Sequence, residues 1–217
     1  MANDSILARW NLTLEELTEA VDSNPSLRGM LFGYVAETVL KKMWFSTEHI
    51  THAVKYDDHD RKRKGDLVVT YKGESFIVES KSLQTNMIKK VGQVWTGKAQ
   101  CDASDRRTIE LPDGSKITTT CLLPGEFDLL AVNCFAFENK WRFVFAKNSE
   151  LPRSKYAKYT SKQRESLLAS LIPISWPPEP PFHAAPYPLL DQILAERKAT
   201  KGKLMILKDA QQIKVTD

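Results

Sequence analysis

Cysteine is scarce in this 217-residue chain: only Cys101, Cys121 and Cys134, with no CxxC spacing. An odd, scattered set excludes a disulfide framework and a zinc-ribbon site, and predicts free thiols in a reducing cytosol. Long apolar runs are missing as well. No stretch reaches the roughly 20 residues that a membrane-spanning helix needs. The start, MANDSILARWNLTLEEL, lacks the basic opening and apolar run of a secretory signal. No internal repeat and no helicase or ATP-binding segment is visible. His49 and His52 are spaced for a shared metal but lack a third ligand nearby.

The apolar content of 42% suffices for a substantial core, and the length fits one large domain or one with an appendage. Net charge is +4, a mild basic balance that permits nucleic-acid binding without requiring it. Its distribution says more. Glu15, Glu16, Glu19 and Asp22 make the N-terminal segment acidic, whereas Arg61, Lys62, Arg63 and Lys64 form an unbroken basic run. Such a run is either a solvated loop or a phosphate-binding one.

Directly after that run come two short apolar stretches, Leu67 to Tyr71 and Ser75 to Val78, separated by Lys72-Gly73. This pattern predicts a hairpin with a two-residue turn. Tyr71 then faces Glu74, and counting back along both arms sets Asp66 opposite Glu79. Opposed residues share a face with Cβ atoms roughly 5 Å apart, and Lys81 returns to that face two residues on. Two carboxylates gathered this way repel unless a proton or a cation intervenes. A hard cation such as Mg2+ takes oxygen ligands and keeps several waters. A neighbouring lysine can orient a water or stabilise charge on a phosphate. The bland reading is a surface hairpin in which Lys81 merely pairs with Glu79 or Asp66.

GDLVV followed by IVESK resembles the signature of the PD-(D/E)xK nuclease superfamily, which includes type II restriction endonucleases and Holliday-junction resolvases. Gly65 stands where that signature has proline. The resemblance implies an α/β fold: a restriction-endonuclease-like core with a mixed β-sheet flanked by helices in αβββαβ order. It implies Asp66, Glu79 and Lys81 as catalytic residues, with Mg2+, or Mn2+ in its place, held by Asp66 and Glu79. A glutamate from the preceding helix often joins such a site. Glu37 is the one acid in the apolar segment Leu27 to Phe45, so it is the candidate third ligand. The alternative is an ordinary Glu37–Lys41 pair. A helix after the ExK strand is also implied, and Met87, Val91, Val94 and Trp95 have helical spacing, though Gly92 and Gly97 interrupt it. Gln84, Gln93 and Gln100 are candidates to orient the substrate there.

Residues 1–25 predict an N-terminal helical segment, 26–147 the core, and 148–217 an extension on the same domain. Leu27 to Phe45 is apolar around most of its circumference and predicts a largely buried helix. His49 to Tyr56 predicts an outer strand, Phe127 to Phe135 and Trp141 to Ala146 two buried ones. Asp113-Gly114 predicts a hairpin carrying Arg106 and Arg107, which could track phosphates. Arg153, Lys155 and Lys158 beside Tyr156 and Tyr159 suit a backbone-binding loop. Seven prolines between Pro173 and Pro188 predict an extended strap without regular structure. Leu189 to Lys198 predicts a last helix and Leu204 to Leu207 an edge strand.

The expectation is therefore an endodeoxyribonuclease of restriction type, acting on double-stranded DNA as a homodimer. The runners-up are a structure-specific repair or recombination nuclease, and a non-catalytic DNA-binding module on the same fold.

Overall fold

The computed structural model describes residues 5–55 and 65–213, with residues 201–213 described by backbone alone. Three helices open the chain: α1 (Ile6–Trp10), α2 (Leu14–Asp22) and α3 (Pro25–Trp44). Thr13 and Glu16 close a reciprocal capping box that starts α2, and Pro25 sits in the first turn of α3, where its missing N–H is harmless. Strands β1 (Ile50–Val54), β2 (Leu67–Tyr71) and β3 (Glu74–Ser82) follow.

β2 and β3 pair in the predicted register, from Tyr71 opposite Glu74 to Leu67 opposite Val78. Lys72 and Gly73 have φ of 49° and 79°, the left-handed pair that a tight hairpin turn requires. Next come β4 (Lys89–Val91), β5 (Val94–Gln100), β6 (Asp102–Glu110), β7 (Lys116–Cys121), β8 (Leu129–Asn133), β9 (Phe143–Lys147), α4 (Ser161–Glu165), β10 (Leu171–Trp176) and α5 (Tyr187–Ile213). The main sheet is mixed, in the order β1-β2-β3-β8-β9, with β3 and β8 parallel. A second sheet runs β10-β5-β4, and β6 with β7 forms a separate two-stranded ribbon.

Strand alternation divides the core in two. Val69, Phe76, Val78, Leu129, Ala131 and Phe145 face Leu40 of α3 and Leu189, Leu190 and Ile193 of α5. The opposite face brings Leu130, Val132, Val144 and Ala146 against Ala99 of β5 and Ile172 and Ile174 of β10. β8 and β9 are buried at every position, as near-continuous apolar runs require. Helices thus cover one face of the sheet and a smaller sheet covers the other.

Four expectations change. The crossover from β3 to β8 is built from strands where a helix was predicted. Gly92 has φ of 59° in the Gly92-Gln93 turn between β4 and β5. A Cβ on Gly97 would lie 2.9 Å from Ile88 Cδ1 and 3.3 Å from the Phe137 ring, so the close packing of β5 depends on glycine. Second, α3 buries only Ala36 and Leu40, while Met30, Leu31, Tyr34, Val35 and Met43 are exposed. One side of that helix meets the sheet and no layer of described residues covers the other. Third, the proline-rich strap contains β10. Its Pro173 lies on an edge strand opposite Lys98, a position that tolerates a missing donor. Fourth, residues 204–207 lie within α5 and form no edge strand.

Asp128, just before β8, ties three elements together. Its Oδ2 accepts the Ile77 N–H at 2.8 Å, and its Oδ1 accepts from Arg197 Nη2 of α5 at 2.5 Å. Arg197 Nη1 donates to the Ser75 carbonyl at 2.8 Å. Asp128→Ala strands a backbone N–H and a guanidinium, so it is expected to destabilise the fold by about 2–4 kcal/mol. Urea unfolding measures this, with a larger loss for Asp128→Ala than for the exposed-site control Glu110→Ala.

Candidate active site

β3 is the central strand, and its alternation decides which side chains meet. Phe76 and Val78 enter the helix-side core. Ile77 packs on the other core, and Glu79 and Lys81 share its side of the sheet. Regular pairing with β2 ends at Leu67. There the Asp66 N–H donates to the Val78 carbonyl at 3.0 Å, and the Asp66 Oδ2 accepts the Ser80 N–H at 2.7 Å. The aspartate is thereby fixed at the mouth of the hairpin beside the Glu-x-Lys. Gly65 makes this possible. Its φ is 76°, and an added Cβ would lie 2.3 Å from Ile77 Cγ2. Proline cannot adopt that φ, which gives a physical reason for glycine at this position.

Glu79 is 7% exposed. Its Oε1 lies 2.6 Å from Lys81 Nζ. Burial and the neighbouring Asp66 charge push its carboxyl up to about 7, against the pull of Lys81. The short ion pair favours the ionised form, while burial and Asp66 favour the protonated one. Burial is the largest of these effects, so the carboxyl is held above its ordinary value. For Lys81, burial disfavours the charged form, but Glu79 and Asp66 outweigh it and hold the ammonium above its ordinary value. Lys81 is thus a permanent cation at neutral pH. Cys101 lies close enough to feel Lys81 and Glu79, and burial pushes its thiol up to about 12. It is no thiolate nucleophile.

One residue of this neighbourhood carries no signal in the sequence. Glu126, in the loop before β8, lies close enough to raise the Glu79 carboxyl further. Arg107 grips it with both terminal nitrogens and donates to the Cys121 carbonyl at 3.2 Å. Arg107, a candidate for phosphate contact from the sequence, is engaged here with Glu126 at the root of the β6–β7 ribbon. Its neighbour Arg106 is exposed, on the other side of that strand. Gln84 Nε2 donates to Gln100 Oε1 at 2.6 Å, and Gln100 Nε2 to Asp102 Oδ2 at 3.2 Å. This polar chain begins three residues beyond Lys81. Gln93, by contrast, is exposed at the tip of the β4–β5 turn.

Glu37 stands apart. Lys55 Nζ, just beyond β1, donates to its Oε2, an ion pair that the Lys41 alternative from the sequence did not anticipate. α3 covers the sheet face opposite Glu79 and Lys81. Among the described residues no three His, Cys, Asp or Glu side chains cluster to hold a metal, so Glu37 does not complete a three-carboxylate cage. The basic run Arg61, Lys62, Arg63 and Lys64 lies outside the described residues, as do Asp57, Asp58 and Asp60.

A two-carboxylate donor set still suits one class of cation. Both donors are hard oxygens, and Mg2+ is commonly held by one or two carboxylates with its remaining positions filled by water and phosphate. Soft or all-protein sites are a poor match. Compared with family models, with curated proteins and with solved structures, the chain gives no significant match to any.

The repulsion between Asp66 and Glu79 has a direct readout. In carbon-detected NMR, the Glu79 carboxyl is expected to titrate near 7. Asp66→Asn should move that titration down and Lys81→Ala should move it up. A Glu79 titration in the ordinary glutamate range, unmoved by Asp66→Asn, would contradict the geometry.

Proposed function

We propose that this chain is a metal-dependent endonuclease that hydrolyses phosphodiester bonds of double-stranded DNA, on a restriction-endonuclease-like core. One observation carries the reading. Asp66, at the mouth of the β2–β3 hairpin, raises the carboxyl of Glu79 on the central strand of a mixed sheet, with the Lys81 ammonium 2.6 Å from Glu79. Placing a buried Glu79 beside the half-buried carboxylate of Asp66 is unfavourable for stability alone, and it is the arrangement that a divalent cation relieves.

In this reading Asp66 and Glu79 hold Mg2+, with Mn2+ as substitute. The cation, when bound, supplies Lewis-acid polarisation of the phosphoryl group and a more acidic water. The chain's own residues do the rest. Glu79 must shed its proton to ligate, so the site gains competence as pH rises through about 7. Lys81 keeps its proton and cannot act as a base near neutrality. Its role is to hold a water or a phosphate oxygen and to stabilise the negative charge that develops there. Asp66, oriented by the Ser80 N–H, is kept from rotating away. Arg107 pairs with Glu126, which limits the extra negative charge that reaches Glu79. Glu37, ion-paired with Lys55, is not needed for the chemistry assigned here to Asp66, Glu79 and Lys81.

Cutting both strands calls for two such sites, and a second copy of the chain supplies the second by symmetry. Arg106 and the run at 61–64 would contribute phosphate contacts. A non-catalytic binding module would not benefit from the repelling carboxylates, so it is the weaker reading.

The test is cleavage of supercoiled plasmid and long linear DNA with Mg2+, Mn2+ or EDTA. Discrete fragments are expected with Mg2+, none with EDTA, and a loss of roughly 10²-fold or more in rate for Lys81→Ala. The rate should climb between pH 6 and pH 8, as Glu79 ionises. Salt-dependent binding without cleavage under any condition would refute the catalytic reading. A metal-dependent smear would move the assignment to a non-specific or structure-directed nuclease.

A further inference from the structure

Away from the Asp66–Glu79–Lys81 site, an open cleft of about 390 Å³ lies between the segment after β9 and the short helix α4. Arg153, Lys155 and Arg164 line it, with Ser154, Ser161 and Glu165. Three cations therefore share the cleft with one acid. None of the three has a carboxylate within ion-pairing distance among the described residues. Like charges left together this way favour an anion between them.

The cleft's walls are fixed by backbone pairing. The Ser154 N–H donates to the Leu167 carbonyl at 2.9 Å and the Ala169 N–H to the Pro152 carbonyl at 2.8 Å. Arg153 and Leu168 form an antiparallel bridge, and Arg153 Nη1 donates to the Leu151 carbonyl at 3.1 Å. Across the cleft, Thr160 and Gln163 close a capping box on α4, and Arg164 Nη2 reaches Ser161 Oγ at 3.4 Å. The cations are thus carried on pre-ordered backbone, which lowers the entropy lost when an anion binds.

Beside the cleft, Tyr156 and Tyr159 meet edge to face at 5.1 Å. Tyr156 is 51% exposed, while the Tyr159 hydroxyl is 2.8 Å from Thr119 Oγ1 of the β6–β7 ribbon. An exposed aromatic ring next to cations without a carboxylate partner among the described residues suits a polymer with alternating phosphates and flat bases or sugars. It suits a bare inorganic anion less well, since that has no use for the ring.

The geometry points to this cleft as a second nucleic-acid contact, in which Arg153, Lys155 and Arg164 grip backbone phosphates and Tyr156 offers a stacking surface. The choice of polymer rests on the nuclease reading above; the anion site itself stands on the cleft. Such a contact positions the strand without reading its sequence. It would also tie the ribbon and the C-terminal third to the substrate.

The experiment measures binding of a fluorescent duplex to the full chain in EDTA across a salt series. It compares wild type with the double variant Lys155→Gln/Arg164→Gln and the single variant Glu165→Gln. Melting by circular dichroism checks that each variant is folded. Removing two phosphate contacts should weaken binding at least about tenfold at low salt and reduce the salt slope by about 2. Glu165→Gln should tighten binding, an effect that unfolding cannot mimic. Unchanged affinity and slope in the double variant, or no duplex binding by wild type, overturns the inference. Thermal stabilisation by inorganic phosphate that the double variant abolishes, with duplex binding unaffected, would assign a free-anion site instead and likewise overturns it. Absence of cleavage with variant-sensitive binding would count against the nuclease reading alone.

Discussion

The pairing of β2 with β3 is the constraint on which the site depends. Lys72 and Gly73 fix the turn, Tyr71 meets Glu74, and the ladder runs without a bulge to Leu67 and Val78. Because side chains alternate, a slip of one residue would exchange the two faces. Phe76 and Val78, both fully buried, would then leave the core against α5, and Glu79 would enter it. That exchange is prohibitively unfavourable, so packing on one face holds the charged residues in place on the other. β8 reinforces the arrangement by pairing in parallel with the same stretch, Glu79 beside Leu130 and Lys81 beside Val132.

Electrostatic tension at the site follows from that rigidity. Asp66 is anchored by the Ser80 N–H and cannot swing from Glu79. Glu79 sits in a nearly dry position, where charge is disfavoured. Lys81 offsets part of this but not all, and the remainder appears as a carboxyl held near 7. A carboxylate so placed ionises readily only with further positive charge nearby. That strain is the reason we propose a cation at this spot, held more strongly as pH rises and Glu79 ionises.

Local chemistry made much of this legible in the sequence. The turn dipeptide, the alternation on both arms and the spacing of Glu79 and Lys81 set the hairpin. The apolar runs of β8 and β9 likewise declared themselves as buried strands. What failed depended on contacts distant along the chain. Met87, Val91, Val94 and Trp95 fit helical spacing, but Gly97 lies against Phe137 and Gly92 turns the chain back, so strands form there. The apolar girth of α3 suggested burial, yet only Ala36 and Leu40 meet the sheet closely. Glu126 is an isolated acid in a loop, and nothing local links it to Glu79. Arg107 lost its expected freedom to that same residue, because the ribbon's root folds back onto the loop before β8. Glu37 found Lys55 for similar reasons of tertiary placement.

Cation binding by Asp66 and Glu79 is the claim from which the rest of the proposed chemistry follows. Titration with Mn2+, followed by electron paramagnetic resonance of the free ion, tests it without requiring a substrate. One bound Mn2+ per chain is predicted for wild type, with binding that strengthens from pH 6 to pH 8 and is displaced by Mg2+. Asp66→Asn should abolish it, while Lys81→Ala should retain it. Equal Mn2+ uptake by wild type and Asp66→Asn, or none by wild type at pH 8, would contradict the account.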